Sequence, residues 1–284
     1  MHRKAAWICL LLVAVATSVA AQKARTPNPA DIYCSGMYTD ERVPRDTYVI
    51  SGEEARVKVA WTEGEYVYLN KGASQGVKVG DEYLVTRPVK DSIKVNWFSG
   101  RWNLLRAMGR LFVDVGRIRV VVLHPNVSIA QVVASCSGMQ RGDYARPFVE
   151  RPVPAYKPAA KFNRFAPVSG KPVAMVVSAK DFRQEAGTYD VVYVNLGSNQ
   201  GVKIGDYLRF FRYQGTRHDF AYLPWGYQYK LYGYGSTPRS YQRDDLPREI
   251  LGEGIVLRLS RNAATVLITY SLREISLGDY VEIQ

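Results

Sequence analysis

The strongest constraint on this chain is that its sequence is written twice. Val67 to Asp81 (VYLNKGASQGVKVGD) aligns without a gap on Val192 to Asp206 (VYVNLGSNQGVKIGD), with Val, Tyr, Asn, Gly, Gln, Gly, Val, Lys, Gly and Asp held in the same order. Self-similarity of this kind means one structural unit used twice. A second block, Asn126 to Tyr144, aligns on Asn262 to Tyr280, each ending Gly-Asp-Tyr. Its alternation sets Ala130, Val132, Ala134 and Cys136 opposite Val266, Ile268, Tyr270 and Leu272, the pattern of one inward strand face. Upstream the parity fails, with Val122 opposite Arg258, which predicts a one-residue gap or a bulge.

The residues before each motif, Tyr66-Val67-Tyr68-Leu69 and Val191-Val192-Tyr193-Val194, are β-branched and aromatic, and predict strands. Asn70 with Gly72, and Asn195 with Gly197, offer left-handed-tolerant positions for leaving the strand, and Gly76 and Gly201 give a second permissive point. Gly80-Asp81 and Gly205-Asp206 mark a tight turn into the next strand. A phosphate cradle is the competing reading, because amides beside glycine bind anions. The spacing fits neither a P-loop nor a dinucleotide fingerprint, and no helical pattern follows, so turn chemistry is the better account.

The pattern Asn-x-Gly-x-x-x-Gly-Val-x-x-Gly-Asp resembles that of the C-terminal domain of flagellar assembly protein T and related β-barrel modules of exported bacterial proteins. The likeness covers the motif block and the closing Gly-Asp strand in each half. It implies a small β-barrel, an envelope location and a role in assembly or scaffolding. As a whole the chain looks like a member of a group of exported bacterial proteins with tandem modules of this kind.

Between the repeats, Pro147, Pro152, Pro154, Pro158, Pro167 and Pro172 gather six of the chain's 14 prolines, as in an extended, semi-rigid linker. The predicted fold is therefore mainly β, two tandem small β-barrel modules joined by a Pro-rich linker, with a short helix in the first module. Residues 1–21 read as a signal peptide, 22–45 as an irregular segment, 46–148 as module 1, 149–170 as the linker and 171–284 as module 2. The leader is assigned from His2, Arg3 and Lys4, the apolar run Ala5 to Val15, and the small residues Ser18 to Ala21. It predicts a periplasmic or secreted protein with no transmembrane segment in the mature chain.

The modules differ most in what interrupts them. Module 1 carries Trp97, Phe98, Trp102, Leu104, Leu105, Met108, Leu111 and Phe112 with Arg101, Arg106 and Arg110 among them, a short amphipathic helix weakened at Gly109. It reads either as a basic aromatic face for membrane or wall polymer, or as a helix closing the open end of a barrel. Module 2 carries the longer insert 213–250, rich in tyrosine, from which Tyr222, Trp225, Tyr227, Tyr229, Tyr232 and Tyr234 are the expected partner-binding residues.

Cys9 leaves with the leader, so Cys34 and Cys136 remain, an even count that suggests a disulfide in an oxidising compartment. The alternative is a buried apolar Cys136, since its counterpart is Leu272. The formal net charge is +12, and loss of Arg3 and Lys4 leaves about +10, which favours anionic partners. Export argues against nucleic acid. His124 and His218 lack companions at metal-ligand spacing, no Gly-x-Ser-x-Gly elbow is present, and Asp244-Asp245 gives no evidence of a hydrolytic pair. The expectation is therefore a non-catalytic envelope scaffold or assembly protein, without metal or cofactor, that binds an envelope protein. A wall-polysaccharide binder is the first alternative and a wall-active hydrolase the second.

Overall fold

The computed structural model describes residues 26–158, 162–214 and 247–284, and its architecture is mainly β. Helix α1 (Pro29–Tyr33) and strand β1 (Met37–Thr39) come first. The first repeat supplies β2 (Val49–Gly52), β3 (Tyr66–Leu69), β4 (Glu82–Val89), β5 (Arg110–Leu123), β6 (Ser128–Ser135) and β7 (Tyr144–Pro147), with helix α2 (Arg101–Met108) between β4 and β5. The second supplies β8 (Val173–Ala179), β9 (Glu185–Ala186), β10 (Val191–Val194), β11 (Tyr207–Arg212), β12 (Glu249–Leu259), β13 (Ala264–Ser271), β14 (Ile275–Ser276) and β15 (Tyr280–Ile283).

In the second repeat the antiparallel order β10-β13-β12-β11-β15-β8 closes into a six-stranded barrel. The first repeat follows the matching order, β2-β3-β6-β5-β4-β7, with β1 added along β5. Its end strands meet through one bridge, Tyr48 to Tyr144, and bonds such as Val49 N to Asp143 O (2.9 Å), where the second repeat has a ladder. Alternation fixes the inward face: Val67 and Leu69 fill the first core, Val192 and Val194 the second.

Bulges explain where the paired alignment misreads the faces. Register shifts fall at Val120/Val122 on β5 and at Val256/Arg258 on β12, so both copies are bulged at the same place and no gap is needed. Val122 faces solvent, whereas Arg258 turns toward a carboxylate of the first repeat. A second pair of shifts lies at Arg117/Ile118 and at Glu253/Gly254. Beyond it the inward face expected for Ala134, Cys136, Tyr270 and Leu272 is lost, and Tyr270 and Leu272 are exposed.

The two bodies are locked together. The larger core contains the second barrel and also Val95, Phe98, Leu105 and Met108 from the segment around α2, with Ile32 and Tyr38 from the N-terminal segment. The proline-rich stretch lies along the same barrel: the Phe162 and Tyr270 rings sit 4.9 Å apart, and Arg248 donates to Pro167 O at 2.8 Å. Cys34 and Cys136 are joined in a disulfide, Cα to Cα 5.4 Å, tying the N-terminal segment to the end of β6. Among the described residues no helix is long and apolar enough to cross a membrane. The assigned leader, and most of the insert 213–250 with all six of its expected contact residues, lie outside the described residues.

Candidate functional site

The site begins with α2. Its sequence, RWNLLRAM, is built from good helix formers, and Gly109 ends it with φ +96°. Gly109 thus stands just past the helix and stops it, where the sequence suggested a weakened interior. A Cβ there would fall 2.3 Å from Thr39 O, so glycine also admits β1 alongside. Spacing of four and three residues turns Arg101, Leu105 and Met108 inward and leaves Trp102 and Arg106 outside. The inward face packs on the outer wall of the neighbouring barrel, so the helix does not close the open end of a barrel as the sequence suggested; it covers a side of the other repeat.

Arg101 is buried with Asp91 as its ion-pair partner. Its Nε donates to Val177 O at 2.8 Å, and Ser178 Oγ donates to Asp91 Oδ2 at 2.6 Å. Trp97 Nε1 donates to Leu277 O at 2.9 Å. The Tyr38 hydroxyl is buried beside this cluster, and burial pushes its pKa up to about 12.

Above this layer lies an open cleft. One lobe, about 1000 Å³, is walled by the strip Thr39 to Asp46, the end of α2 and the start of β5. A second lobe, about 560 Å³, shares Arg106, Gly109 and Arg110 with the first and adds Pro88, Val89, Lys90, Trp102 and Leu105. Arg42, Arg45, Lys90, Arg106 and Arg110 are all exposed around the two lobes. The wall also carries Asp40, Glu41 and Asp46, but Asp40 is taken by Arg261 (2.8 Å) and Asp46 by Lys71. Among the described residues no carboxylate lies within ion-pair distance of the five cations. Arg45 stacks on the Tyr144 ring, 5.6 Å to its centre, and Arg106 bonds Asn103 Oδ1 at 2.9 Å. The cleft thus offers positive potential, free donors, an indole edge and an apolar floor.

Nearby, one buried carboxylate joins both repeats to the N-terminal segment. Asp114 accepts from Arg258 of β12 (2.8 Å), from Arg151 (2.8 Å) and from Gly36 N (2.9 Å). Burial works to raise the Asp114 carboxyl; the Arg258 and Arg151 guanidinium groups and the bond from Gly36 outweigh it and hold the pKa below the usual range. Burial lowers Arg258 to about 10 against the pull of Asp114, and Arg151 and Arg146 push the same way.

The repeated turn residues are structural in both copies. Asn70 Oδ1 accepts from Tyr48 N and Asn195 Oδ1 from Met175 N, each at 2.7 Å, pinning the strand that closes the sheet. Gln75 and Gln200 accept from Gly72 N and Gly197 N, while Asp81 and Asp206 accept from Lys78 N and Lys203 N. Gly76, Gly80, Gly201 and Gly205 are left-handed as expected. Gly72 and Gly197 are not: their φ values are −135° and −134°, and the need is space, because a Cβ would meet His124 O at 2.2 Å and Arg261 O at 2.4 Å. Sequence reading also passed over Arg87 and Arg212, each six residues past the motif Asp. They form two-pronged pairs with Asp143 and Asp279 of the Gly-Asp-Tyr blocks, Nε to Oδ1 2.7 Å in both. Their shared offset was a usable signal.

No family model matches the chain, and no curated protein matches it.

Proposed function

We propose that this chain is an exported, non-catalytic scaffold of the cell envelope that seats an acidic segment of another envelope protein in the cleft between residues 39–46 and α2. The observation that carries this reading is the group of five exposed cations around an apolar floor, with no carboxylate partner among the described residues. Positive groups on a rim steer an acidic partner and fix its register, while Leu105, Leu111 and Phe112 give its apolar side chains somewhere to rest. The support is fixed: Arg101 with Asp91 anchors the floor, and the disulfide anchors the strip's upstream end. A mobile cleft of the same charge would bind less tightly, because ordering it on binding costs entropy.

The test is crosslinking capture from intact cells with the full chain and with Arg106→Glu/Arg110→Glu. Reversing two rim charges is expected to cut recovery of envelope proteins by about tenfold and to remove its sensitivity to salt. Unchanged recovery sinks the proposal. The wall-polymer reading has one observation in its favour, the exposed Trp102 beside Lys90 and Arg106. Co-sedimentation with purified sacculi that the same substitutions abolish, with protein capture unaffected, replaces the first reading with the second.

A further inference from the structure

The two repeats are alike enough that the outward face of one shows what the other lacks. On the second barrel the outward residues of β8 and β10 are Met175, Val177, Val191 and Tyr193, and all are buried. The cover is the segment around α2 together with residues 32–38. Arg101 bonds Val177 O, the Tyr38 ring meets Tyr193 at 5.2 Å, and Tyr193 Oη donates to Ser35 O at 2.7 Å. That helical segment issues from the hairpin between β4 and β5 of the first repeat. A connection of one repeat therefore seals the face of the next.

Among the described residues no helix or segment covers the same face on the first repeat as α2 covers the second. Tyr48, Ile50, Tyr66 and Tyr68 occupy the positions of Met175, Val177, Val191 and Tyr193, since Tyr68 pairs with Ile129 and Tyr193 with Thr265 in the same register. Tyr48 is 38% exposed against 7% for Met175, and Tyr66 is 37% against 5% for Val191. The loop leaving β2 bonds to the same edge through Glu53 N to Tyr66 O, and carries Val57 and Val59 almost fully exposed. In the second repeat, the connection between β11 and β12, the counterpart of the one that holds α2, carries the insert 213–250 with its seven tyrosines and Trp225.

We propose that the chain assembles head to tail with itself: the 213–250 insert of one copy covers the β2–β3 face of the next. Each molecule then repeats between chains the contact that its two repeats already make within one. An aromatic insert of small net charge is matched to a face led by Tyr48, Tyr66 and Tyr68, where tyrosine rings supply the contact area. Because the two surfaces differ and sit on different repeats, the contact is heterologous, and it propagates into a filament unless the rotation closes a ring. This surface is separate from the cationic cleft and does not rest on it.

The experiment is sedimentation of the purified full chain across a range of concentrations, with two blocked variants. Tyr48→Asp/Tyr66→Asp closes the face, and replacement of 215–246 by a short Gly-Ser link removes the insert. The parent chain is expected to gain mass with concentration, and each variant to stay monomeric. The two variants mixed are expected to form a species of twice the monomer mass that grows no further, because each retains one complementary half. A parent that stays monomeric, an insert-deleted variant that still assembles alone, or a mixture that stays monomeric overturns the proposal. Ile50→Lys serves as the face variant should the double substitution lose its near-ultraviolet dichroism. Arg106→Glu/Arg110→Glu leaves this assembly intact, which separates it from the cleft.

Discussion

Two glycines four residues apart show how one residue type serves two needs. Gly76 holds φ +82° with nothing within 4 Å of an added Cβ, so Gly76→Ala carries only the left-handed penalty, about 1 kcal/mol. Gly72 has an ordinary extended backbone, but its Cβ would overlap His124 O, Val127 N and Pro125 O, and backbone must move. Gly72→Ala is expected to destabilise by about 3 kcal/mol, and Gly197→Ala by as much against Arg261 and Ser260. Urea unfolding midpoints of the three variants check the order; equal effects at positions 72 and 76 defeat it. That these glycines mark a turn was legible in the sequence. Which were needed for conformation and which for space was not, because the crowding chain, residues 124–127, comes from the far β5–β6 connection.

At the scale of elements, the strands and the aromatic helix were legible because their periods are local. The cleft was not. Arg106 and Arg110 stand out in the helix region, but Arg42 and Arg45 fall in a stretch without period, and only the pairing of β1 with β5 carries that strip alongside. Likewise α2 was readable as a helix, but nothing in its spacing shows that it lies on the wall of the other repeat and not over the open end of a barrel. The partner is fixed by Arg101, which reaches Val177 O only across the boundary between repeats. Arg101→Met leaves the buried Asp91 carboxyl with only neutral donors, Ser178 Oγ and Ile93 N, and is expected to destabilise by about 3 to 5 kcal/mol. Arg101→Met/Asp91→Leu is expected to recover most of that loss, since a buried pair replaced by apolar groups is often neutral. A double-mutant cycle on thermal unfolding measures the coupling, and simple additivity of the two substitutions contradicts it.

Over the whole molecule, the sequence implied two units joined by a tether, and the units are instead bolted at their boundary by Asp114, Arg258 and Arg151 with the disulfide beside them. No motif announces such a cluster, because its members lie on β5, β12 and the segment after β7, and Arg258 looks like a parity error until its carboxylate is seen. The cluster makes cohesion depend on pH. Asp114 has a pKa lowered by folding, so its contribution is fully present above the ordinary carboxylate value and disappears as the pH falls through the lowered one. Asp114→Asn removes the charge at every pH and leaves two largely buried guanidinium groups without a counter-charge, a loss of about 3 kcal/mol at neutral pH. The melting temperatures of parent and variant should therefore differ widely at pH 7, start to converge as the pH drops below the ordinary carboxylate value of about 4, and meet only as it falls through the lowered value at which the folded parent's carboxyl takes up its proton. A gap that stays constant from pH 7 to pH 3 means that the Asp114 charge does not hold the two bodies together. In that event the apolar cover supplied by α2, Ile32 and Tyr38 carries the junction together with the bonds from Arg101 to Val177 O and from Trp97 to Leu277 O.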